Sequence, residues 1–228
     1  MTIRGVLLDL DDTLVDQKGA VADALRTWLP TLGVTVDDEV IRLWHRIQER
    51  HLVAWRERTV TFAEQRRRRL RDFLPAVGAD TGGDLDRVFD GSLRAYERSW
   101  RPFADVPAAL DAIAAAGLLT AVLTNGTREQ QNDKIDRVGL RDRLGPTFTV
   151  EDLGVAKPDP EAFRLACARR GLPPAAVLSV GDRHDLDVVP ARRAGLRAVL
   201  LDRDGHGPAD EPDRIGTLAE LGPYLHAR

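Results

Sequence analysis

Gly5-Val6-Leu7-Leu8-Asp9-Leu10-Asp11-Asp12-Thr13 is the stretch on which the reading of this chain turns. It is a nearly continuous apolar run that ends in acids. A strand that is apolar on both faces must be covered on both, as in the middle of a parallel sheet flanked by helices. Similar runs recur at Leu118 to Leu123, Ala176 to Val180 and Arg197 to Leu201, and Phe148-Thr149-Val150 is a weaker candidate. Each is followed by polar or glycine-containing residues, and helical patterns lie between them. Strands alternating with helices predict an α/β fold built on a parallel sheet.

The stretch from about Val15 to Arg101 interrupts that rhythm. Helical patterns run near 20–30, 38–58, 61–74 and 84–100, with breaks at Gly33, Pro75-Ala76-Val77-Gly78 and Gly82-Gly83, and no convincing strand falls between them. This predicts an inserted all-helical cap over 16–100 and a catalytic core made of 1–15 and 101–228. All four tryptophans, Trp28, Trp44, Trp55 and Trp100, lie in the insert or at its boundary. The cap is expected to select the substrate, with hinges at 16–20 and 98–103. The run Arg66-Arg67-Arg68-Arg69 points all round a helix and is read as a solvated surface, with Leu70, Phe73 and Leu74 turned inward.

Composition excludes several classes. With 228 residues, 43% hydrophobic and 30% charged, the chain can bury a real core. A near-balance of 33 basic and 36 acidic residues argues against a nucleic-acid partner, which would call for a basic excess or stripe. The single cysteine, Cys167, excludes an internal disulfide framework and a cysteine zinc site, and its helical context reads as a small buried hydrophobe. No signal-peptide pattern and no apolar stretch of membrane-spanning length are present, so a cytoplasmic protein without a membrane partner is expected.

Four acidic or phosphate-directed clusters follow the apolar strands: Asp9/Asp11, Thr124, Lys157 and Asp182/Asp187. In an open parallel sheet the ligand site lies beyond the carboxyl ends of the strands, so clusters remote in sequence converge there. Phosphoryl transfer asks for such a set. A carboxylate can attack phosphorus and divide one displacement into two. A second acid must protonate the leaving alkoxide and then activate water. Asp9 and Asp11 can share the site if the chain turns sharply after Leu10. A hard divalent cation would bring two anions together, with Asp182 as a further oxygen ligand. Thr124 offers a hydroxyl and Asn125-Gly126 backbone N–H groups to phosphoryl oxygens. Lys157 offers a compact positive charge, and it is one of only three lysines, with Lys18 and Lys134, among 33 basic residues.

Asp9-Leu10-Asp11-Asp12-Thr13-Leu14-Val15, Leu123-Thr124-Asn125-Gly126, Lys157-Pro158-Asp159-Pro160 and Val180-Gly181-Asp182-Arg183-His184-Asp185-Leu186-Asp187 together resemble the four motifs of the haloacid dehalogenase superfamily, in the phosphatase type with a helical C1 cap. The resemblance spans essentially the whole chain. It implies a Rossmann-like core with Asp9 as nucleophile and Asp11 as general acid/base. It implies Mg²⁺ on the Asp9 side chain, the Asp11 backbone carbonyl and Asp182. Thr124, Asn125 and Lys157 would bind the substrate phosphate, Lys157 would also restrain Asp9, and Asp187 would support the metal's water shell or orient Lys157. The substrate would be a small phosphorylated metabolite. Two positions depart from the pattern: Leu186, where relatives often carry Asn, and Pro190, where Gly is frequent. His184 is expected at the surface.

Dehalogenation uses a carboxylate nucleophile without a second acid or a metal, so Asp11 favours a phosphatase. A phosphomutase would need cap residues that exclude water. A receiver-like phospho-Asp protein would carry its acidic pair before the phosphorylated residue, on a chain about half as long, and a non-catalytic scaffold would not retain every chemical group.

Overall fold

The computed structural model describes residues 2–57, 59–80 and 83–226. The chain divides into two compact units, one of Met1–Asp16 with Arg101–Arg228, the other of Gln17–Trp100.

The first unit is a parallel sheet of six strands in the order β3-β2-β1-β4-β5-β6. The strands are β1 (Gly5–Leu8), β2 (Leu119–Leu123), β3 (Thr147–Phe148), β4 (Val177–Gly181), β5 (Arg197–Leu201) and β6 (Arg214–Ile215). All five pairings are parallel. The expected Rossmann-like sheet is present, and β1 lies at its middle, between β2 and β4. Alternation along the strands explains the continuous apolar runs. Val6 and Leu8 join one buried cluster with Val122, Val180 and Val199, whereas Leu7 joins another with Ala121, Leu123 and Leu200. Successive side chains point to opposite faces, so both faces need covering. In the other unit, α1 (Gln17–Trp28), α2 (Asp38–Arg56), α3 (Phe62–Ala76) and α4 (Leu85–Arg98) occupy the stretch expected to be helical. The sheet is covered by α5 (Val106–Ala115) on one face and by α8 (Pro160–Arg170) on the other, with α6 (Arg128–Arg137), α7 (Val150–Leu153), α9 (Val189–Arg193) and α10 (Gly222–Leu225) completing the unit.

Details differ from the sequence expectation. Val150 does not extend β3; it opens α7, because Thr149 caps that helix through a reciprocal capping box with Asp152. The two-residue β6 is too short to leave an alternating pattern. Cys167 is buried in the α8 face, and burial pushes its thiol up to about 11, as a buried hydrophobe requires. Among the described residues, no helix is long and apolar enough to cross a membrane.

The helical unit has its own core. Trp28, Trp44 and Phe73 meet edge-to-face, with ring centroids 6.1 and 4.8 Å apart. Leu70, Phe73 and Leu74 are fully buried, as expected. The arginine run is not uniformly solvated, however. Arg67 and Arg68 face outward and pair with Asp86 and Glu64. Arg69 is buried, and Arg66 lies half-buried over the rings of Phe62 and Phe89. Successive helical residues are about 100° apart, so a run of four must send part of itself inward on a helix packed on one side.

Candidate active site

Asp9, Thr124 and Asp182 directly follow β1, β2 and β4, Asp11 and Asp187 lie in the turns after β1 and β4, and Lys157 lies in the loop between α7 and α8. Asp9 directly follows β1 and continues the ladder, its N–H donating to the Val180 carbonyl at 2.9 Å. The chain then turns at once. Leu14 and Val15 both donate to the Leu10 carbonyl, and Asp12 donates to the Val15 carbonyl at 2.7 Å. Asp12 carries φ of 60°, a left-handed conformation that aspartate tolerates better than bulkier residues. This turn lets Asp9 and Asp11 serve one site.

Lys157 is the hinge pin of the charge arrangement. Its ammonium is buried and donates to Asp9 Oδ1 and Asp187 Oδ1, each at 2.6 Å. Burial alone would make the ammonium easier to deprotonate, but the charges of Asp187 and Asp9 outweigh it and raise its pKa. Burial, joined by the nearby charges of Asp187 and Asp11, pushes the Asp9 carboxyl up to about 7 against the pull of Lys157. The Lys157–Pro158 bond is cis. Asn125 fixes this loop with both ends of its side chain. Nδ2 donates to the Lys157 carbonyl at 2.8 Å, and Oδ1 accepts from the Lys157 N–H at 2.9 Å. That donation uses one of the two N–H groups on Nδ2 and leaves the other for a further acceptor.

Asp187 follows β4 through a π-helical turn, His184–Val188. Its second oxygen accepts from the Arg183 N–H at 3.0 Å. A Cβ on Gly181 would collide with the Asp187 carboxyl, so this position tolerates only glycine while Asp187 reaches Lys157. Pro190 lies in the first turn of α9, where no backbone donor is lost. Leu186 and Pro190 therefore coexist with an Asp187 that still engages Lys157. His184 lies half-buried against Glu211 at 3.1 Å, which gives it a partner away from Lys157.

Two residues escaped the sequence reading. Lys134 on α6 is fully buried and its ammonium donates to Asp11 Oδ1. Gln131, one turn earlier on the same helix face, donates to Asp11 Oδ2 at 2.9 Å and to Thr124 Oγ1 at 2.5 Å. Accepting that bond leaves the Thr124 hydroxyl proton available to another acceptor. A Cβ on Gly126 would run into the Gln131 side chain, which explains the glycine of Thr124-Asn125-Gly126. A signal for Lys134 existed: lysine is as scarce at that position as at Lys157 in an arginine-rich chain.

Oxygens of Asp9, Asp182 and Asp187 lie within 4.8 Å of one another. Three carboxylates in reach of one another are a hard-oxygen donor set suited to Mg²⁺. The Asp11 side chain is not part of that trio; it is turned to Lys134 and Gln131.

Sheet and site together are those of an α/β enzyme whose chemistry gathers at the carboxyl ends of its strands. Residues 3–195 match the model of the haloacid dehalogenase-like hydrolases, and the chain belongs to that family. It is 35% identical to a phosphoserine phosphatase of Thermus thermophilus over 169 residues, 65% of this chain and 68% of that protein. It is also 29% identical to an (S)-2-haloacid dehalogenase of a Pseudomonas species, over 90% of this chain and 84% of that one. In fold it is similar to the magnesium-bound HAD-hydrolase YfnB of Bacillus subtilis, with a TM-score of 0.83 at 23% identity over 99% of each chain.

Proposed function

We propose that this chain hydrolyses a small-molecule phosphate monoester through an aspartyl-phosphate on Asp9. The observation that carries the reading is the second acid. Asp11 lies two residues beyond the nucleophile and is held by Lys134 and Gln131, and Gln131 also touches Thr124. A dehalogenase has no use for an acid placed to protonate an alkoxide.

In the first step an Asp9 oxygen attacks phosphorus and the bond to the leaving alkoxide breaks, with Asp11 giving that oxygen its proton. In the second, Asp11 takes a proton from water as the water oxygen attacks phosphorus, and the bond from phosphorus to Asp9 breaks. Lys157 holds Asp9 in line and, with the Thr124 hydroxyl, meets charge on the phosphoryl oxygens. Mg²⁺ held by Asp9, Asp182 and the Asp11 backbone carbonyl, with Asp187 beside them, would neutralise the anionic nucleophile and the anionic substrate.

The test is turnover of 4-nitrophenyl phosphate and of a panel of phosphorylated metabolites, with Mg²⁺ and with EDTA. Hydrolysis that EDTA abolishes and excess Mg²⁺ restores is expected. A rapid quench should leave one phosphoryl group on the peptide that contains Asp9. Similarity to haloacid dehalogenases favours a second reading, and halide release from 2-chloropropionate without phosphatase turnover would replace the first with it.

A further inference from the structure

The helical unit buries polar groups that its own residues do not satisfy. Gln65 on α3 is wholly buried, and among the described residues neither the oxygen nor the nitrogen of its side-chain amide has a hydrogen-bond partner. Arg69 lies one turn further along the same face and is only 7% exposed. Its Nη1 donates to Gln48 Oε1 at 2.9 Å, an oxygen that also accepts from Trp44 Nε1 at 2.9 Å, while its Nε is buried without a partner among the described residues. The guanidinium lies 4.8 Å from the Trp44 ring centroid and 5.1 Å from that of Phe89. Arg66 covers the Phe89 ring as well, at 4.7 Å, so two like charges flank one ring.

Charge compensation is missing here. Among the described residues, the groups acting on the Arg69 charge are the Arg66 guanidinium and the Tyr96 hydroxyl, with no carboxylate. Burial and Arg66 draw Arg69 down to about 9. Aromatic faces attract a cation but accept none of its in-plane N–H groups. A buried guanidinium with an unpartnered N–H edge, beside an unpartnered amide, matches an oxyanion, which takes two parallel N–H bonds.

We propose that the interior of the helical unit is an anion site, in which the Nε edge of Arg69 takes a carboxylate or phosphate group of a small molecule and the Gln65 amide donates beside it. That anion belongs to a separate small molecule. The site stands on the geometry of α2, α3 and α4 and does not rest on the phosphatase reading.

Malonate, citrate and inorganic phosphate are titrated into the wild-type chain and into Arg69→Met, Arg69→Lys and Gln65→Leu, by calorimetry and by tryptophan fluorescence. Saturable wild-type binding of at least one anion is expected, weakened about 10-fold or more by R69M. R69K should also weaken it, since an ammonium presents no planar fork. Failure of all three anions to bind the wild-type chain overturns the site. So does binding that R69M and Q65L leave unchanged. If R69M does not fold, Q65L, which keeps the charge and removes the amide, decides the matter.

Discussion

Lys157 and Arg69 are both buried cations, one in each compact unit, and their surroundings could hardly differ more. Lys157 is gripped by two carboxylates at 2.6 Å each. Arg69 has aromatic rings, one amide oxygen and a second arginine nearby. A buried charge is costly unless it is paired, so the first arrangement is complete within the chain and the second is not. In the sheet unit acids and buried cations meet, with Lys157 and Lys134 each locking one aspartate of the Asp9-Leu10-Asp11 segment. Inside the helical unit a cation is kept with its donor edge unused.

That contrast can be broken at several points. The largest effect is expected from Asp9→Asn, which should lower kcat by about 10⁴-fold or more in a steady-state phosphatase assay while the folded chain persists. Turnover near the wild-type level would remove Asp9 from the nucleophile role. Next comes Lys157→Met, which leaves Asp9 and Asp187 facing each other without their counter-ion. Breaking a buried ion pair of this kind costs about 3–5 kcal/mol, measurable by urea denaturation. A loss below about 1 kcal/mol would mean that the triad is not closed by Lys157 alone.

Lys134→Met separates positioning from binding. It frees one oxygen of Asp11 and leaves Gln131 in place, so kcat should fall about 10–100-fold with KM little changed. A rise in KM with kcat intact would show instead that α6 binds substrate. Glu211 tests charge compensation away from the site. Bonds from Arg192, the Asp213 N–H and His184 hold its carboxyl at about 2, against an ordinary 4.5. The folded form thus favours the ionised state, and this stabilisation is present above about pH 4.5 and is lost as pH falls towards 2. Glu211→Gln should cost about 2–3 kcal/mol at neutral pH and flatten the loss of stability in that acid window. The smallest effect belongs to the outer side of the arginine run. Arg67→Ala removes an exposed pair with Asp86 and should leave the thermal midpoint essentially where it was, in contrast with any change at Arg69.

Much of this protein was legible in its residues one strand at a time. The apolar runs before Asp9, Thr124 and Asp182 marked β1, β2 and β4, because a strand covered on both faces carries few polar residues to break its run. The four helices of the insert were legible for a similar reason, each bounded by a cap or a glycine-containing break. Gln131 and Lys134 were not. Their partner Asp11 lies 120 and 123 residues away, and no local pattern records such a pairing. Nor could four consecutive arginines disclose which of them turn inward, since that depends on where α2 and α4 lie against α3.

Sequence by itself determined the alternation of strand and helix, the helical insert and the order of the chemical groups, since each is written in residues close together along the chain. Tertiary structure alone decided that Lys134 rather than solvent faces Asp11, that Asn125 holds the Lys157 loop, and that Arg69 lies buried beside an unpaired amide. Those outcomes depend on which buried polar groups meet across the fold, and the cost of leaving such groups unpaired is felt only once burial has removed the water.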